Sequence, residues 1–246
     1  MCEQDALQAI LFDLNLVEQH VLDRTVCIPE DILSSEKSTI RRVSKRRYEQ
    51  RLRAEGAEET RRRILDALYD RLREAPADPV SVDEVARDAR VARSTVYLVF
   101  GSRSGLFDAL TESLFQGAGW DGILEAFRHP DARETLRRGL AGGVDMYAAH
   151  HEVWRILNSM SKLDPDGVGQ ALARSERHRA AGMARLAGRL AQQGVLRAGV
   201  TPDYAAHLIW VLASFDAYDS LATGRELSPQ ATADVLVDTA ERALLA

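Results

Sequence analysis

Arg93, Ser94, Thr95 and Tyr97 crowd into the stretch RSTVYLVF, and all four can donate hydrogen bonds from one open face. On a helix, Val96 and either Val99 or Phe100 turn inward and leave these polar side chains outside. A guanidinium at the N-terminal end of such a helix can span the O6/N7 edge of guanine or grip a phosphate. Hydroxyls and a phenol suit phosphate oxygens, which fix register without reading sequence. Arg93 is therefore the candidate base reader, with a phosphate contact as its alternative. Thr95 and Tyr97 are candidate phosphate contacts, and Ser94 fits either task. Leu98 lies among them with two readings, contact with a thymine methyl or packing against Phe107.

A short reading helix needs a neighbour that sets its angle, and the residues from Val80 onward supply one. Val82, Val85, Ala86 and Ala89 fall at helical spacing and form the inner face of a first short helix. Ser81 stands ahead of it with Glu84 three residues on, the pattern of a capping box. Arg90-Val91-Ala92 is the turn, with Val91 as its apolar plug. Two short helices about a tight turn, residues 80–99, make a helix-turn-helix, whose second helix suits the major groove of double-stranded DNA.

This segment resembles the helix-turn-helix of TetR-type transcriptional regulators, and the likeness extends to both sides. Upstream, Thr60-Arg-Arg-Arg-Ile-Leu-Asp-Ala-Leu68 is similar to the family's first helix. Downstream, Phe100-Gly-Ser-Arg-Ser-Gly-Leu-Phe-Asp-Ala-Leu110 is similar to its signature of an aromatic and a basic residue ahead of an apolar helix start. The resemblance implies an all-α protein with an N-terminal three-helix helix-turn-helix domain. It also implies a C-terminal helical domain that binds a small-molecule effector and forms a homodimer through its last two helices. Thr60 and Ser81 join the DNA contacts on the same ground, and Arg103 becomes a phosphate clamp. Two departures from the family pattern stand out. Arg90 occupies a turn position usually held by Gly, which tolerates a positive φ, and Leu98 and Val99 replace common basic or His residues.

Other residue clusters carry weaker chemistry. Arg41, Arg42, Lys45, Arg46 and Arg47 form a basic arm ahead of the helix-turn-helix, either a solvated face interleaved with Glu or a strip for phosphates or the minor groove. Met146, Tyr147, Trp154, Met160, Trp210 and Phe215 could line an apolar effector pocket, or serve as ordinary core. His150-His151-Glu152 invites a metal reading, but adjacent residues leave a helix on different sides, and no metal is expected. Cys2 and Cys27 have no metal spacing and read as incidental thiols. No Gly-rich phosphate loop, GxSxG elbow or HExxH motif is present, so neither an enzyme nor a cofactor is implied.

The whole chain fits this reading. Its 246 residues carry a net charge of −5, with 46% hydrophobic and 28% charged residues, an ordinary globular balance. The charge is uneven: residues 1–40 hold two basic and eight acidic groups, residues 41–116 sixteen and thirteen. A net positive segment over the helix-turn-helix is the electrostatic footprint of a DNA-binding unit. No apolar run approaches the ~20 residues that span a bilayer, and a cytoplasmic protein is expected.

Residues 1–56 form an N-terminal extension, residues 57–117 the DNA-binding domain, and residues 118–246 the regulatory and dimerisation domain. In the extension, Leu7, Ile10, Leu11, Leu14, Val17, Val21 and Leu22 make an amphipathic stripe. It packs on this protein or its partner subunit, binds another protein, or lies upstream of the true start. The first helix of the DNA-binding domain is expected at Glu58–Glu74, and Ser104 is expected to cap a fourth helix. The last pair is expected at Asp203–Thr223 and Pro229–Leu245. The function implied is a ligand-responsive repressor on a palindromic operator. The alternative is a helical adaptor whose extension recruits a protein, with DNA binding secondary.

Overall fold

The computed structural model describes residues 33–75, 80–115 and 120–246, with side chains from residue 51 onward. The stripe expected between Leu7 and Leu22 lies outside the described residues, as do the side chains of Arg41, Arg42, Lys45, Arg46 and Arg47. The chain divides into two compact units between Ala54 and Glu55, and every contact described below belongs to the second, Glu55–Ala246.

Helix α1 is Leu33–Glu74, 42 residues long, so the first helix starts well upstream of the expected Glu58 and includes the backbone of the basic run. From Leu33 to Glu55 the sequence contains neither Pro nor Gly and is rich in Glu, Arg and Lys, all good helix formers. Gly56 interrupts it at a cost of about 1 kcal/mol, too little to stop a helix that continues into a packed segment. Ser34 and Ser35 fall in its first turn.

Three short helices complete the helix-turn-helix unit: α2 (Val82–Asp88), α3 (Arg93–Phe100) and α4 (Arg103–Phe115). Ile64, Leu68 and Leu72 of α1 meet Val82, Val85 and Ala86 of α2, Val96 of α3, and Leu106, Phe107 and Leu110 of α4 in one buried core. These are the helical repeats legible in the sequence, and burying them fixes the angle at which α3 is presented. Ser81 caps α2, its Oγ accepting from the Asp83 amide. Glu84 does not close a capping box; it reaches Arg71 of α1 at 2.6 Å, and Arg71 also holds Asp88 at 3.1 Å. The α1–α2 angle is thus tied by charge as well as by packing. α4 is capped by Ser102, which accepts from the Gly105 amide at 2.9 Å, and not by Ser104, which lies inside the helix.

The turn between α2 and α3 is a Schellman closure. Val91 N donates to Ala86 O at 2.9 Å and Arg90 N to Arg87 O at 3.0 Å. This closure needs a left-handed residue at Arg90, whose φ is +55°. The side chain therefore tolerates the strain where Gly would have none. Arg90→Gly is expected to raise stability by about 1 kcal/mol, measured as a higher urea midpoint with an unchanged slope. An unchanged midpoint would show that the arginine side chain offsets its own backbone strain.

The remaining helices are α5 (Trp120–Arg128), α6 (Ala132–Ala149), α7 (His151–Leu163), α8 (Gln170–Gln192), α9 (Pro202–Leu212), α10 (Phe215–Ala222) and α11 (Pro229–Leu244). A π-helical turn, Pro165–Gly169, joins α7 to α8, with Asp164 capping it through the amides of Gly167 and Val168. The core of the helix-turn-helix unit runs on without a break into Val144, Tyr147, Trp154, Leu157, Val168 and Phe215. A second cluster, with Leu136, Leu140, Leu186, Leu190, Ile209 and Leu244, fills the far end.

The helix expected at Asp203–Thr223 is two helices. Ser214 adopts an extended backbone and its Oγ accepts from the Ala217 amide, which starts α10 afresh. Its apolar residues consequently divide: Phe215 and Tyr218 are buried, whereas Tyr204 and Val211 face solvent, and Ala205 and Ile209 take the inner side of α9.

Candidate nucleic-acid interface

The outer face of α3 carries the side chains that the sequence singled out. Val96 is buried, and Val99 and Phe100 are both half-buried, so the choice between them resolves as a shared inner edge. Arg93 and Ser94 are exposed, Tyr97 is 36% exposed, and Thr95 is half-buried. The Arg93 guanidinium lies 5.5 Å over the Tyr97 ring. Its Nη1 donates to Asp83 Oδ2 at 2.7 Å, and its Nη2 to the Tyr97 hydroxyl at 3.4 Å. The tyrosine hydroxyl and then the Asp83 charge raise the pKa of Arg93 above its usual value, so it stays cationic. One carboxylate on α2 thereby orients the one cation of α3 on the exposed face. Asp83 is a positioning residue that sequence reasoning missed; its place in the first turn of a capped helix gave no sign of a partner ten residues on.

Leu98 is 85% exposed. Phe107, its alternative partner, is buried and covered on one face by the Arg103 guanidinium at 5.0 Å. Gly101 closes α3 with φ +74°, a left-handed conformation that glycine adopts without steric cost. Arg61 of α1 lies 5.1 Å over the Phe100 ring and 3.8 Å from Glu112 of α4, bracing the end of α3.

The three contacts implied by resemblance are placed differently. Thr60 is half-buried and donates its hydroxyl to Gly56 O at 2.8 Å on its own helix. Ser81 uses its oxygen as the α2 cap. Arg103, expected on a phosphate, is turned inward: Nη1 pairs with Asp164 and Nη2 donates to Val80 O at 3.2 Å. Its neighbour on the same helix, Asp108, pairs with Arg174 of α8. Two ion pairs of opposite polarity therefore hold α4 against the α7–α8 corner. A Cβ at Gly167 would approach Arg103 Nη1 and the Asp164 carboxylate so closely that the ends of these side chains would have to shift.

The six residues expected around an effector do not gather in one place. Met146, Tyr147, Trp154 and Phe215 are buried together, and Met160 is half-buried against them. Tyr147 makes edge contacts with Trp154 and Phe215 at 5.5 and 5.4 Å, and burial pushes its phenol up to about 12. Trp210 is the exception: it is partly exposed on α9 with Arg179 4.9 Å over its ring. Helical spacing alone could not reveal that the Ser214 break turns Trp210 away from Phe215. The Trp154 Nε1 proton is buried with no acceptor. Two surface hollows, of about 480 and 310 Å³, lie instead along Arg63–Arg90 and around Arg197–Tyr204.

The paired histidines diverge as their adjacency requires. His150 Nδ1 faces the Tyr69 hydroxyl at 3.0 Å, whereas His151 Nε2 lies 2.5 Å from Asp219 Oδ1. Burial lowers the pKa of His150 below its ordinary value. Among the described residues, no three His, Cys, Asp or Glu side chains converge as a metal site would need, and no helix is long and apolar enough to cross a membrane.

A packed three-helix unit with a Schellman turn and a short helix presenting Arg93, Ser94, Tyr97 and Leu98 defines a helix-turn-helix DNA-binding protein. Residues 64–110, from the middle of α1 into α4, match the family model of bacterial regulatory proteins of the tetR family. Over these residues the chain carries the helix-turn-helix unit of TetR-type regulators. No curated relative matches it in sequence. A candidate TetR-family regulator from Syntrophomonas wolfei superposes with TM-score 0.62 at 14% identity, over 75% of this chain and 94% of its own. A candidate regulator of the same family from Rhodococcus sp. gives 0.59 at 20% identity, over 76% and 99%. NalD of Pseudomonas aeruginosa, the secondary repressor of the MexAB-OprM multidrug efflux pump, gives 0.59 at 22%, over 78% and 98%. At these identities the likeness is one of fold.

Proposed function

We propose that this protein is a TetR-family transcriptional repressor that binds a palindromic operator as a homodimer and releases it when a small molecule occupies the regulatory helices. The observation that carries the DNA-binding part is the outer face of α3, where a preoriented guanidinium, a hydroxyl, a phenol and an exposed leucine form one ridge. A single short helix reads few bases, so two-fold pairing is the economical route to a unique site. Tyr204, Val211 and Val235, at 54, 50 and 42% exposure on α9 and α11, supply an apolar surface for that pairing. Repression is also the role stated for NalD, which shares the fold.

For the effector, the buried ring cluster of Tyr147, Trp154, Phe215 and Tyr218 is the favoured site, because the unpaired Trp154 N–H awaits an acceptor. Occupation has to spread these rings, and the continuous core passes the displacement to the helix-turn-helix unit. The ligand acts by favouring a state whose two recognition helices no longer match one DNA face.

Selection of bound fragments from random and upstream DNA, followed by footprinting, tests the reading. The expected result is one protected site with two-fold symmetric halves about one helical turn apart. Arg93→Ala should cost about 1–3 kcal/mol at that site and relax preference at one base pair in each half. A chain that holds no selected fragment more tightly than random competitor would remove the proposal.

A further inference from the structure

We infer that Leu98 is a specificity-determining residue that reads the C5-methyl of a thymine in each half of the bound site. This rests on the DNA-binding reading above and adds the chemistry of one base position to it. Leu98 stands one turn beyond Ser94 and beside Tyr97, so it shares the ridge that carries Arg93. Packing does not account for it. The side chain is 85% exposed, and Val96 together with Val99 and Phe100 already forms the inner edge of α3. Phe107, the only other partner the sequence offered, is buried beneath Arg103.

The type of side chain then decides the target. Leucine neither donates nor accepts a hydrogen bond, so it cannot hold a phosphate or the polar edge of guanine, adenine or cytosine. The single apolar feature that base pairs display in the major groove is the thymine methyl. The first half of α3 therefore reads by hydrogen bonds from Arg93 and Ser94, and the second half by an apolar contact. Covering one methyl group and the leucine surface opposite it corresponds to about a fourfold gain in affinity for each contacted thymine.

Deoxyuridine in place of thymidine deletes that methyl and leaves the base pairing intact. Once the selected site is known, each thymine is replaced singly by deoxyuridine, and affinity is measured for the wild-type chain and for Leu98→Ala. The alanine variant keeps the fold, which an unchanged urea midpoint checks. The expected result is one thymine per half-site at which deoxyuridine weakens the wild type about fourfold and leaves Leu98→Ala unaffected. A penalty of equal size in both proteins, or no penalty at any thymine, overturns the inference while the DNA-binding reading stands. Failure of the wild type to select any site removes both.

Discussion

Arg103→Ala is expected to destabilise the protein by about 1.5–3 kcal/mol, the range for hydrogen bonds to charged groups. It should do so without changing the salt dependence of DNA binding. The guanidinium pairs with Asp164, donates to the Val80 carbonyl and lies over the Phe107 ring. Its loss leaves a half-buried carboxylate whose remaining donors are the amides of Gly167 and Val168. Desolvation alone would push the Asp164 carboxyl up, but Arg103 and these two amides outweigh it and hold it below its ordinary value of 3.8. The sign follows from that depression. The stabilisation is complete above the ordinary aspartate pKa and is lost as pH falls through the lower folded value. Arg103→Ala should therefore flatten the acid limb of a stability-versus-pH curve.

A double-mutant cycle with Asp164→Asn isolates the pair, and a coupling of about 1 kcal/mol or more is expected. Additive effects of the two substitutions would mean that the pair contributes nothing. DNA binding provides a separate readout. If Arg103 instead met a phosphate, the slope of log affinity against log salt would shrink by about one unit. The Val80 carbonyl begins the helix-turn-helix and Asp164 begins the α7–α8 corner, so this pair also sets how the reading unit sits on the regulatory helices. Gly167→Ala, which brings a methyl into the same contact and shifts the ends of these side chains, should cost less stability than Arg103→Ala.

The helix-turn-helix was readable because its information is local. Val82, Val85, Ala86 and Val96 repeat at helical spacing, and Ser81 and the Arg90–Ala92 turn punctuate them. Burying that pattern requires the arrangement found, down to a left-handed Arg90. What escaped the sequence depends on partners far along the chain. Arg103 lies 61 residues from Asp164, and neither residue's neighbours announce the pairing. Asp83 and Arg93 belong to adjacent helices that each looked complete alone. The start of α1 was missed for the opposite reason: a charged segment with little apolar pattern gives periodicity nothing to measure, although its helix propensity is high. At Ser214 the apolar residues on both sides outweighed a serine cap with Asp216 in the following turn, and the break it makes leaves Trp210 apart from Phe215.

Trp154→Ala should have the largest effect of any single substitution considered, a loss of about 3–5 kcal/mol of folding stability. The indole is 3% exposed and meets Phe115 at 5.4 Å, Tyr147 at 5.5 Å and Phe215 at 6.4 Å between ring centroids. Removing it opens an apolar space that these rings cannot refill, because they are held by helices α4, α6 and α10. Trp154→Phe should cost clearly less, since it keeps most of the ring contact and deletes an N–H that has no acceptor in the folded state. Added indole should restore part of the thermal midpoint of Trp154→Ala and leave the wild type unmoved, because only the variant has room for it. Stabilisation of both proteins would place the binding site elsewhere, and rescue of neither would mean that the rings had collapsed into the space. The rescue also bears on regulation. Because the core is continuous, a cavity here is felt at the helix-turn-helix unit, and the alanine variant without indole should bind the operator more weakly than the wild type at a temperature where both are folded. Indole should then bring operator binding and stability back together, as one continuous core requires.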